Sequence, residues 1–237
     1  MILKNKKILG IIPARSGSKR LLNKNIKMFL GKPLIYWSIK ASKLSNFIDK
    51  TLVTSNSTII LKEAKKYKAD FIIKRPKILS TKIADSWDVM RHAVNYVKHK
   101  GYEFDYIIML QPTSPLRHSK HIDECLKKLK TNDTGVISIN KILKPLEWIA
   151  KLNKQKNFKS FEVGLKKYKK NKNKKDSYII NGAIYIFKTE EIYKKNFMFK
   201  KSVKTFLMNP FSSIDIDIEK EFIIAEFLKK NEKRTKR

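Results

Sequence analysis

The amino-acid sequence predicts an α/β protein with a mostly parallel sheet and helices on both faces. Short apolar runs of strand length alternate with segments whose apolar residues recur at helical spacing, and this alternation is typical of βαβ units. The 237 residues, 42% of them hydrophobic, suffice to bury one substantial core. We therefore expect a single domain over residues 1–230 and a basic tail over residues 231–237.

Apolar runs bounded by turn residues predict six strands. They cover residues 8–12, 51–54, 71–73, 106–110, 136–139 and 179–187. Between them, residues 34–44 follow a Gly-Lys-Pro turn that places Pro33 at a helix start, where its missing N–H does no harm. Two further helices are indicated by apolar stripes, and a fourth covers residues 219–230. The stripes are Trp87, Met90, Val94 and Val97, and Ile122, Cys125, Leu126 and Leu129.

The alternation of strand-like and helix-like apolar patterns stops between residues 140 and 176. This segment is rich in lysine and asparagine and carries scattered aromatic residues such as Trp148, Phe158 and Tyr168. We interpret it as an insertion that packs on a second subunit, and so expect a homodimer.

Composition excludes several classes of protein. The single cysteine, Cys125, excludes a disulfide framework and fits a reducing cytoplasm. The apolar run at residues 8–12 is too short for a signal sequence, and none is long enough to span a bilayer. The net charge of +33 would suit nucleic acid, but the lysines are spread along the chain without interleaved base-stacking aromatics. We expect neither nucleic acid nor a membrane as partner.

The first candidate loop follows the first strand and reads Pro-Ala-Arg-Ser-Gly-Ser-Lys-Arg over residues 13–20. Ligands of parallel sheets bind outside the carboxyl ends of the strands. Gly17 allows backbone N–H groups to approach an anion, and Arg15, Lys19, Arg20 and Lys24 add charge for a triphosphate. The spacing is not that of a Walker loop, and a basic surface turn is the alternative.

The second candidate is the pair Asp215 and Asp217. In an extended segment, residues two apart point to the same face, and carboxylate oxygens suit Mg²⁺. In so lysine-rich a chain, salt-bridge partners are an equally good interpretation.

Two weaker signals complete the set. Residues 110–117, Leu-Gln-Pro-Thr-Ser-Pro-Leu-Arg, follow the fourth predicted strand, and two prolines would hold Gln111 and Arg117 with little freedom to lose on binding. Asn181, Gly182 and Ala183 lie inside the sixth strand, where glycine often marks the close approach of a ligand or backbone. Structural turns are the alternative for both.

Together these segments resemble the acylneuraminate cytidylyltransferases, the CMP–sialic acid synthetase family. The matching stretches are IIPARSGSKRLLNKNI (11–26), GKPLI (31–35), Arg75-Pro76, residues 84–86, LQPTSPLR (110–117), NGAIYIF (181–187) and SIDIDIEKEF (213–222). They span nearly the whole chain. The second loop is more similar to the sialic or legionaminic branch than to the pseudaminic branch.

The resemblance implies a Rossmann-like nucleotidyltransferase fold, a homodimer, CTP, an acidic nine-carbon sugar and Mg²⁺. The implied nucleotide-binding residues are Arg15, Ser18, Lys19, Lys24, Asn25, Arg75, Ala84 and Ser86, with Lys19 on the phosphates and catalytic. Gln111, Arg117 and Asn181 are the candidate sugar-binding residues. Asp215 and Asp217 are implied as catalytic metal ligands.

The chain departs from the family's pattern at three places. Lys82 and Asn56 stand where the family usually has aspartate, and the arginine-bearing segment before residue 181 is replaced by a lysine run around residues 166–175. The partner of the sugar carboxylate is therefore unassigned. The competing interpretations are a nucleotidyltransferase for another sugar or base, and a basic nucleic-acid-binding domain.

Overall fold

A seven-stranded sheet forms the centre of the protein. The computed structural model describes residues 3–18, 20–81, 83–154, 156–170 and 176–232. Within these ranges the strands are β1 Ile8–Pro13, β2 Met28–Phe29, β3 Lys32–Pro33, β4 Lys50–Ser55, β5 Phe71–Lys74, β6 Tyr106–Met109, β7 Gly135–Ile142, β8 Ser177–Lys188 and β9 Val203–Leu207. The sheet has the order β5-β4-β1-β6-β8-β7-β9, and β2 and β3 form a separate small ribbon.

Most strand pairs of the sheet are parallel. β1 is parallel to β4 and β6, β4 to β5, and β7 to β9. Only β8 runs antiparallel to its neighbours, β6 and β7. The predicted mostly parallel Rossmann-like sheet is confirmed, and the carboxyl ends of β1, β4 and β6 lie at one edge, where ligands bind in such folds.

Helices cover both faces of the sheet, as predicted. They are α1 Leu34–Lys43, α2 Thr58–Lys66, α3 Ser86–His99, α4 Ser119–Lys127, α5 Glu162–Lys170 and α6 Glu219–Lys230. Successive residues of β1 point to opposite faces: Ile8 and Ile12 pack in one apolar cluster with α1 and α4. Leu9 and Ile11 pack in the other with α3. Both faces of β1 are thus buried.

Pattern reasoning found all six of its strands and its four helices, and missed others. β9, α2 and α5 were not predicted, and neither was the β2–β3 ribbon. Only Ile60 and Ala64 of α2 are buried, and no residue of α5 is, so neither helix presents a long apolar stripe. Within the described ranges, no helix has the length and apolar content needed to cross a membrane.

The predicted insertion contains a segment that we call the arm. It comprises the outer ends of β7 and β8, which pair from Ile139 with Ile180 to Ile142 with Ser177, and the described residues 143–154 and 156–170 between them. The arm includes a 3-10 turn, Leu146–Trp148, and α5. Residues 155, 171–175 and 233–237, hence most of the predicted tail, lie outside the described residues.

Candidate functional site

Three segments that are far apart in sequence meet at the carboxyl ends of β1 and β6. They are the first loop (13–25), the second loop (110–117) and the acidic segment (213–217). The Lys24 ammonium donates to the carbonyl of Ile216 at 2.7 Å and to Asp217 Oδ1 at 2.9 Å. The Ile216 N–H donates to the carbonyl of Thr113 at 2.8 Å. The first loop and the acidic pair, two separate candidates from the sequence, therefore lie side by side.

A pocket of about 310 Å³ opens beside this junction. Eight of the residues singled out in the sequence line it: Arg15, Ser18, Lys24, Asn25, Arg75, Ala84, Ser86 and Gln111. Three of them carry positive charge, and no described lining residue is acidic. Such a cavity suits an anionic ligand of nucleotide size. Lys19, which the sequence predicts to be catalytic, lies outside the described residues.

The first loop is held by side chains on both flanks. Asn25, which is buried, donates from Nδ2 to the carbonyl of Arg15 at 2.8 Å. The Ser16 N–H donates to Asn56 Oδ1 at 2.8 Å. Gly17 has a φ of +78°, a conformation that L side chains rarely adopt. Asn56 supplies the same kind of oxygen acceptor that an aspartate would, which gives this departure from the family's pattern a structural role.

Arg75 forms the opposite wall of the pocket. Its Nη2 donates to the carbonyl of Thr54 at 3.0 Å and its Nη1 to the carbonyl of Leu79 at 3.5 Å. Burial, with a contribution from the charge of Arg15, lowers its pKa to about 10. The guanidinium therefore remains charged at neutral pH and is fixed in place before any ligand arrives.

Asp217 lies between two cations. Besides Lys24, Arg20 donates from Nη2 to Asp217 Oδ2 at 2.6 Å. Burial alone would raise the pKa of Asp217, but the hydrogen bonds and charges of Lys24 and Arg20 outweigh it and hold that pKa below its ordinary value. The Asp217 N–H donates to Glu221 Oε2 at 2.6 Å, which ties the backbone of Asp217 to the first turn of α6.

Asp215 has the opposite electrostatic character. Its side chain remains reachable by solvent but is flanked by the second loop and β8. The resulting loss of solvation raises its pKa, Asp217 and Glu221 add to the rise, and Thr113 and Lys24 act against it. Two carboxyl groups two positions apart thus have pKa values displaced in opposite directions, a pattern found at functional sites.

The acidic pair fits Mg²⁺ better than a metal held by protein alone. Among the described residues, no group of three or more histidine, cysteine, aspartate or glutamate side chains could hold a metal ion. Mg²⁺ usually takes one or two carboxylates and completes its shell with water and substrate phosphates. The salt-bridge interpretation is thus observed for Asp217, and its role as a metal ligand stays a prediction.

A bulge in β8 brings the sheet close to the second loop. Ile137 pairs with Tyr185 but Ile139 pairs with Ile180, so extra residues of β8 protrude there. Gly182, at the centre of the bulge, has a φ of +73°, and a Cβ built on it would lie 2.9 Å from Gln111 Oε1 and 3.7 Å from Asp215 Oδ2. Only glycine allows this approach, which places Gln111 and Asp215 side by side.

Asn181 lies behind this contact. The Ser138 hydroxyl donates to Asn181 Oδ1 at 2.6 Å, and Asn181 Nδ2 donates to the Ser213 hydroxyl at 3.0 Å. The side chain is buried and is not among the pocket residues. Asn181 therefore braces the bulge, and its contact with the sugar stays a prediction.

Arg117 is also placed away from the pocket. Its side chain is only 2% exposed and lies beneath the second loop. Nη1 donates to the carbonyls of Gln111 and Ala183, at 3.0 and 2.9 Å, and Nη2 donates to the Ser38 hydroxyl at 2.5 Å. Arg117 is not among the residues that line the pocket, and the sugar contact expected for it from the sequence stays a prediction.

Comparison with known proteins agrees with this geometry. A family model described as Cytidylyltransferase matches residues 9–234. The chain belongs to the cytidylyltransferase family. The family resemblance drawn from the sequence is thus confirmed.

The relatives include enzymes named for acidic sugars. N-acylneuraminate cytidylyltransferase of Escherichia coli O18:K1:H7 is 34% identical over 232 residues, which are 97% of this chain and 54% of the relative. The present chain spans about half of that protein's length. CMP-N,N'-diacetyllegionaminic acid synthase of Legionella pneumophila is 32% identical, over 94% of this chain and 96% of the relative.

Solved structures agree with the fold. The structure titled CMP:2-keto-3-deoxy-manno-octonic acid synthetase complexed with CTP has a TM-score of 0.68 at 16% identity, covering 95% of this chain and 99% of that one. A 4-diphosphocytidyl-2C-methyl-D-erythritol synthase also has a TM-score of 0.68, at 10% identity, over 94% of this chain and 99% of that one. At such identities the likeness shows the shared fold.

A larger cavity of this cytidylyltransferase, about 970 Å³, lies near the amino end of β6. Its charged lining residues balance, with Lys6, Lys98 and Lys188 against Glu103, Asp105 and Glu190. It therefore lacks the excess positive charge of the smaller pocket and lies away from the carboxyl edge of the sheet. Size alone does not identify the site in this family member.

Sequence reasoning missed several residues of the cytidylyltransferase site. Asn56 and Thr113 hold the loops, Ser138 braces the bulge, and Glu221 orients Asp217. The only signal for Asn56 was its mismatch with the family's pattern. The other three act through contacts between segments distant in sequence, which a pattern of spacings does not reveal.

Proposed function

We propose that this chain transfers CMP from CTP to the anomeric hydroxyl of a sialic-acid-like nonulosonic acid and releases pyrophosphate. The observation that carries the proposal is the junction of a pocket with three cations and the Asp215–Asp217 pair at the carboxyl edge of the sheet. Positive charge for a triphosphate and oxygen ligands for its metal thus occur together. The relatives' names supply the class of sugar.

CTP would occupy the pocket of about 310 Å³. Ser18, Lys24 and Asn25 would hold the triphosphate with Arg15 and Lys19, since backbone N–H groups and fixed cations favour phosphate oxygens. On the far side, Arg75, Ala84 and Ser86 would border the cytidine. Gln111, at the junction with the acidic pair, would contact the sugar.

Asp217 and Asp215 would hold Mg²⁺. When bound, this ion neutralises triphosphate charge and lowers the pKa of a coordinated hydroxyl group. For Asp217 to serve as a ligand, one of its oxygens would exchange Arg20 or Lys24 for the ion, because both oxygens now accept hydrogen bonds from these cations. The released cation would remain beside the triphosphate.

The chemistry requires positioning more than covalent participation by the protein. The anomeric oxygen of the sugar forms a bond to the α-phosphorus, the bond from that phosphorus to pyrophosphate breaks, and the hydroxyl proton passes to solvent. Arg15 and Lys24 would stabilise the charge that develops on pyrophosphate, while Gln111 would align the sugar. These groups are held by the hydrogen bonds of the two loops before substrate binds.

The arm supports a homodimer. Apolar side chains are at least half exposed along it, including Leu143, Trp148, Ile149, Phe158 and Ile180. Several exposed apolar side chains within one segment are typical of a protein–protein interface. We propose a second copy of this chain as its partner, in a reducing cytoplasm that suits the buried free thiol of Cys125.

Product formation tests the function directly. The protein is incubated with CTP, Mg²⁺ and one of several nonulosonic acids, and the products are identified by mass spectrometry. We expect a CMP-sugar and pyrophosphate with at least one sialic or legionaminic acid. Parallel reactions with ATP, GTP and UTP serve as controls. Transfer from another nucleotide, or none from CTP to any nonulosonic acid, would contradict the proposal.

A further inference from the structure

The Arg117 guanidinium lies where three parts of the fold cross. It contacts the carbonyl of Gln111 in the second loop, the carbonyl of Ala183 in the bulge of β8, and the hydroxyl of Ser38 in α1. The Ser38 hydroxyl in turn donates to the carbonyl of Gln111 at 3.2 Å. The two side chains together therefore fix the backbone of Gln111.

No carboxylate of the described residues forms a salt bridge with Arg117, and its Nε has no hydrogen-bond partner there. Burial lowers the pKa of Arg117 to about 9. A buried cation without a counter-charge is costly for a fold. Its retention therefore calls for a role beyond filling space.

The carbonyls that accept from Nη1 lie on either side of the contact between Gln111 and Gly182. Gly182 directly precedes Ala183, and a Cβ on it would lie 2.9 Å from Gln111 Oε1. The second loop continues to Thr113, whose carbonyl accepts from Ile216 N–H between the two aspartates. The Arg117 guanidinium thus fixes the distance between Gln111 and the bulge. Through Thr113 in the same loop, it also positions the acidic segment.

The nucleotide side of the pocket has separate supports. Asn25 and Asn56 hold the first loop, and Thr54 and Leu79 accept from Arg75. The hydrogen bonds of Arg117 reach none of these residues. Displacing Arg117 should therefore leave the nucleotide side in place.

We infer that Arg117 is a positioning residue for the sugar side of the site, acting through Gln111 and the bulge without touching substrate. The inference rests on the proposed function, which assigns one side of the site to the nucleotide and the other to the sugar. Arginine is needed because its planar fork serves three acceptors in fixed directions, which a lysine ammonium on a flexible stem does not. Only seven of the 54 basic residues of the chain are arginine.

The test compares Arg117→Lys and Arg117→Met with wild type in the full-length protein. We measure the Kd for CTP by calorimetry, and the kcat and the KM for the sugar by pyrophosphate release. We expect kcat/KM for the sugar to fall ~10- to 100-fold in both variants, because small misplacements of aligning groups have effects of this size. The Kd for CTP should stay within about twofold of the wild-type value, since the hydrogen bonds that support the nucleotide side of the pocket are untouched.

Two further variants serve as matched comparisons. Arg75→Lys changes the other buried arginine of the site and should weaken CTP binding while sparing the KM for the sugar. Ser38→Ala removes one acceptor of Arg117 and should give a smaller loss of the same kind as Arg117→Lys. Thermal unfolding of each variant identifies any that fails to fold, in which case Ser38→Ala carries the test.

A readout that needs no turnover separates this inference from the proposed function. Amide hydrogen exchange in Arg117→Met should rise in peptides covering residues 110–117 and 181–186, while peptides covering residues 14–25 keep their wild-type protection. Uniform loss of protection, parallel loss of CTP and sugar affinity, or unchanged sugar kinetics would overturn the inference. A wild-type protein that transfers CMP to no sugar would contradict the function and leave the exchange result to decide the role of Arg117.

Discussion

The pocket loops and the arm are built in opposite ways. Around the pocket, polar side chains turn inward and bind backbone groups, as Asn25 in the first loop, Arg117 in the second loop and Asn56 after β4 do. In the arm, apolar side chains face outward. Phe158 is 73% exposed and Trp148 is 50% exposed.

The arm nevertheless has a defined internal structure. Trp148 contacts Tyr168 edge to face at 5.7 Å between ring centroids. Gly164 of α5 packs so closely on the 3-10 turn that a Cβ would lie 2.2 Å from the Glu147 carbonyl oxygen. The difference teaches that the described pocket residues are fixed by polar contacts within one chain, whereas the arm leaves apolar side chains exposed, as expected of an interface.

The largest effect is expected at the acidic pair. Asp217→Ala removes the proposed metal ligand, and turnover should fall at least ~1000-fold, because metal stabilisation of the transition state contributes several kcal/mol. Pyrophosphate release measures the loss. Asp176→Ala, at the residue just before β8, removes a carboxylate paired with Lys141 of the arm at 2.7 Å and should keep turnover within about twofold. Retained turnover in Asp217→Ala would overturn the metal assignment.

A smaller effect is expected at the junction of the first loop with the acidic segment. Lys24→Met removes an ammonium that is only 11% exposed and binds both Ile216 and Asp217, so kcat/KM for CTP should fall ~100-fold. Lys27→Met is the matched control, because Lys27 directly follows the 3-10 turn Lys24–Ile26 but pairs with Glu219. Equal losses of kcat/KM in the two variants would show that CTP turnover depends on positive charge in general and not on the contacts of Lys24 at the junction.

The support of the first loop should have a modest effect. Asn56→Ala leaves the Ser16 N–H without its acceptor, and the KM for CTP should rise ~3- to 10-fold, the loss expected for one hydrogen bond. Asn56→Asp keeps an oxygen acceptor and should restore most of the affinity. Steady-state kinetics with varied CTP distinguish the two variants. A defect in Asn56→Asp as large as in Asn56→Ala would contradict the role of the acceptor.

The arm should have the smallest effect on nucleotide binding. Ile180→Lys places a charge on a half-exposed strand position of the arm and should halve the mass measured by light scattering, while the Kd for CTP changes less than about twofold. Ile59→Lys, at an exposed position of α2, should leave the mass unchanged. A wild-type protein that is monomeric, or a control that also dissociates, would count against the proposed dimer.

Sequence reasoning was most successful where the signal is local. A short apolar run made β1 and the loop after it recognisable, and the spacing of Asp215 and Asp217 put both on one segment. It was least successful where the role of a residue depends on a distant partner. Arg117 and Asn181 belong to stretches that match a family of enzymes, yet their side chains point into the fold.

The sequence by itself determined six of the nine described strands and four of the six described α-helices. It also placed charged loops at the ends of strands, because periodicity and turn chemistry depend on neighbouring residues. The tertiary structure alone decided that β8 enters antiparallel between β6 and β7 with a bulge at Gly182. That bulge decides which side chains of the matching stretches reach the pocket and which brace it. The physical reason is that hydrogen bonds between distant segments fix the direction of a side chain at the bulge. The bond from Arg117 to Ala183, for example, joins residues 66 positions apart. Such bonds form only when the chain has folded.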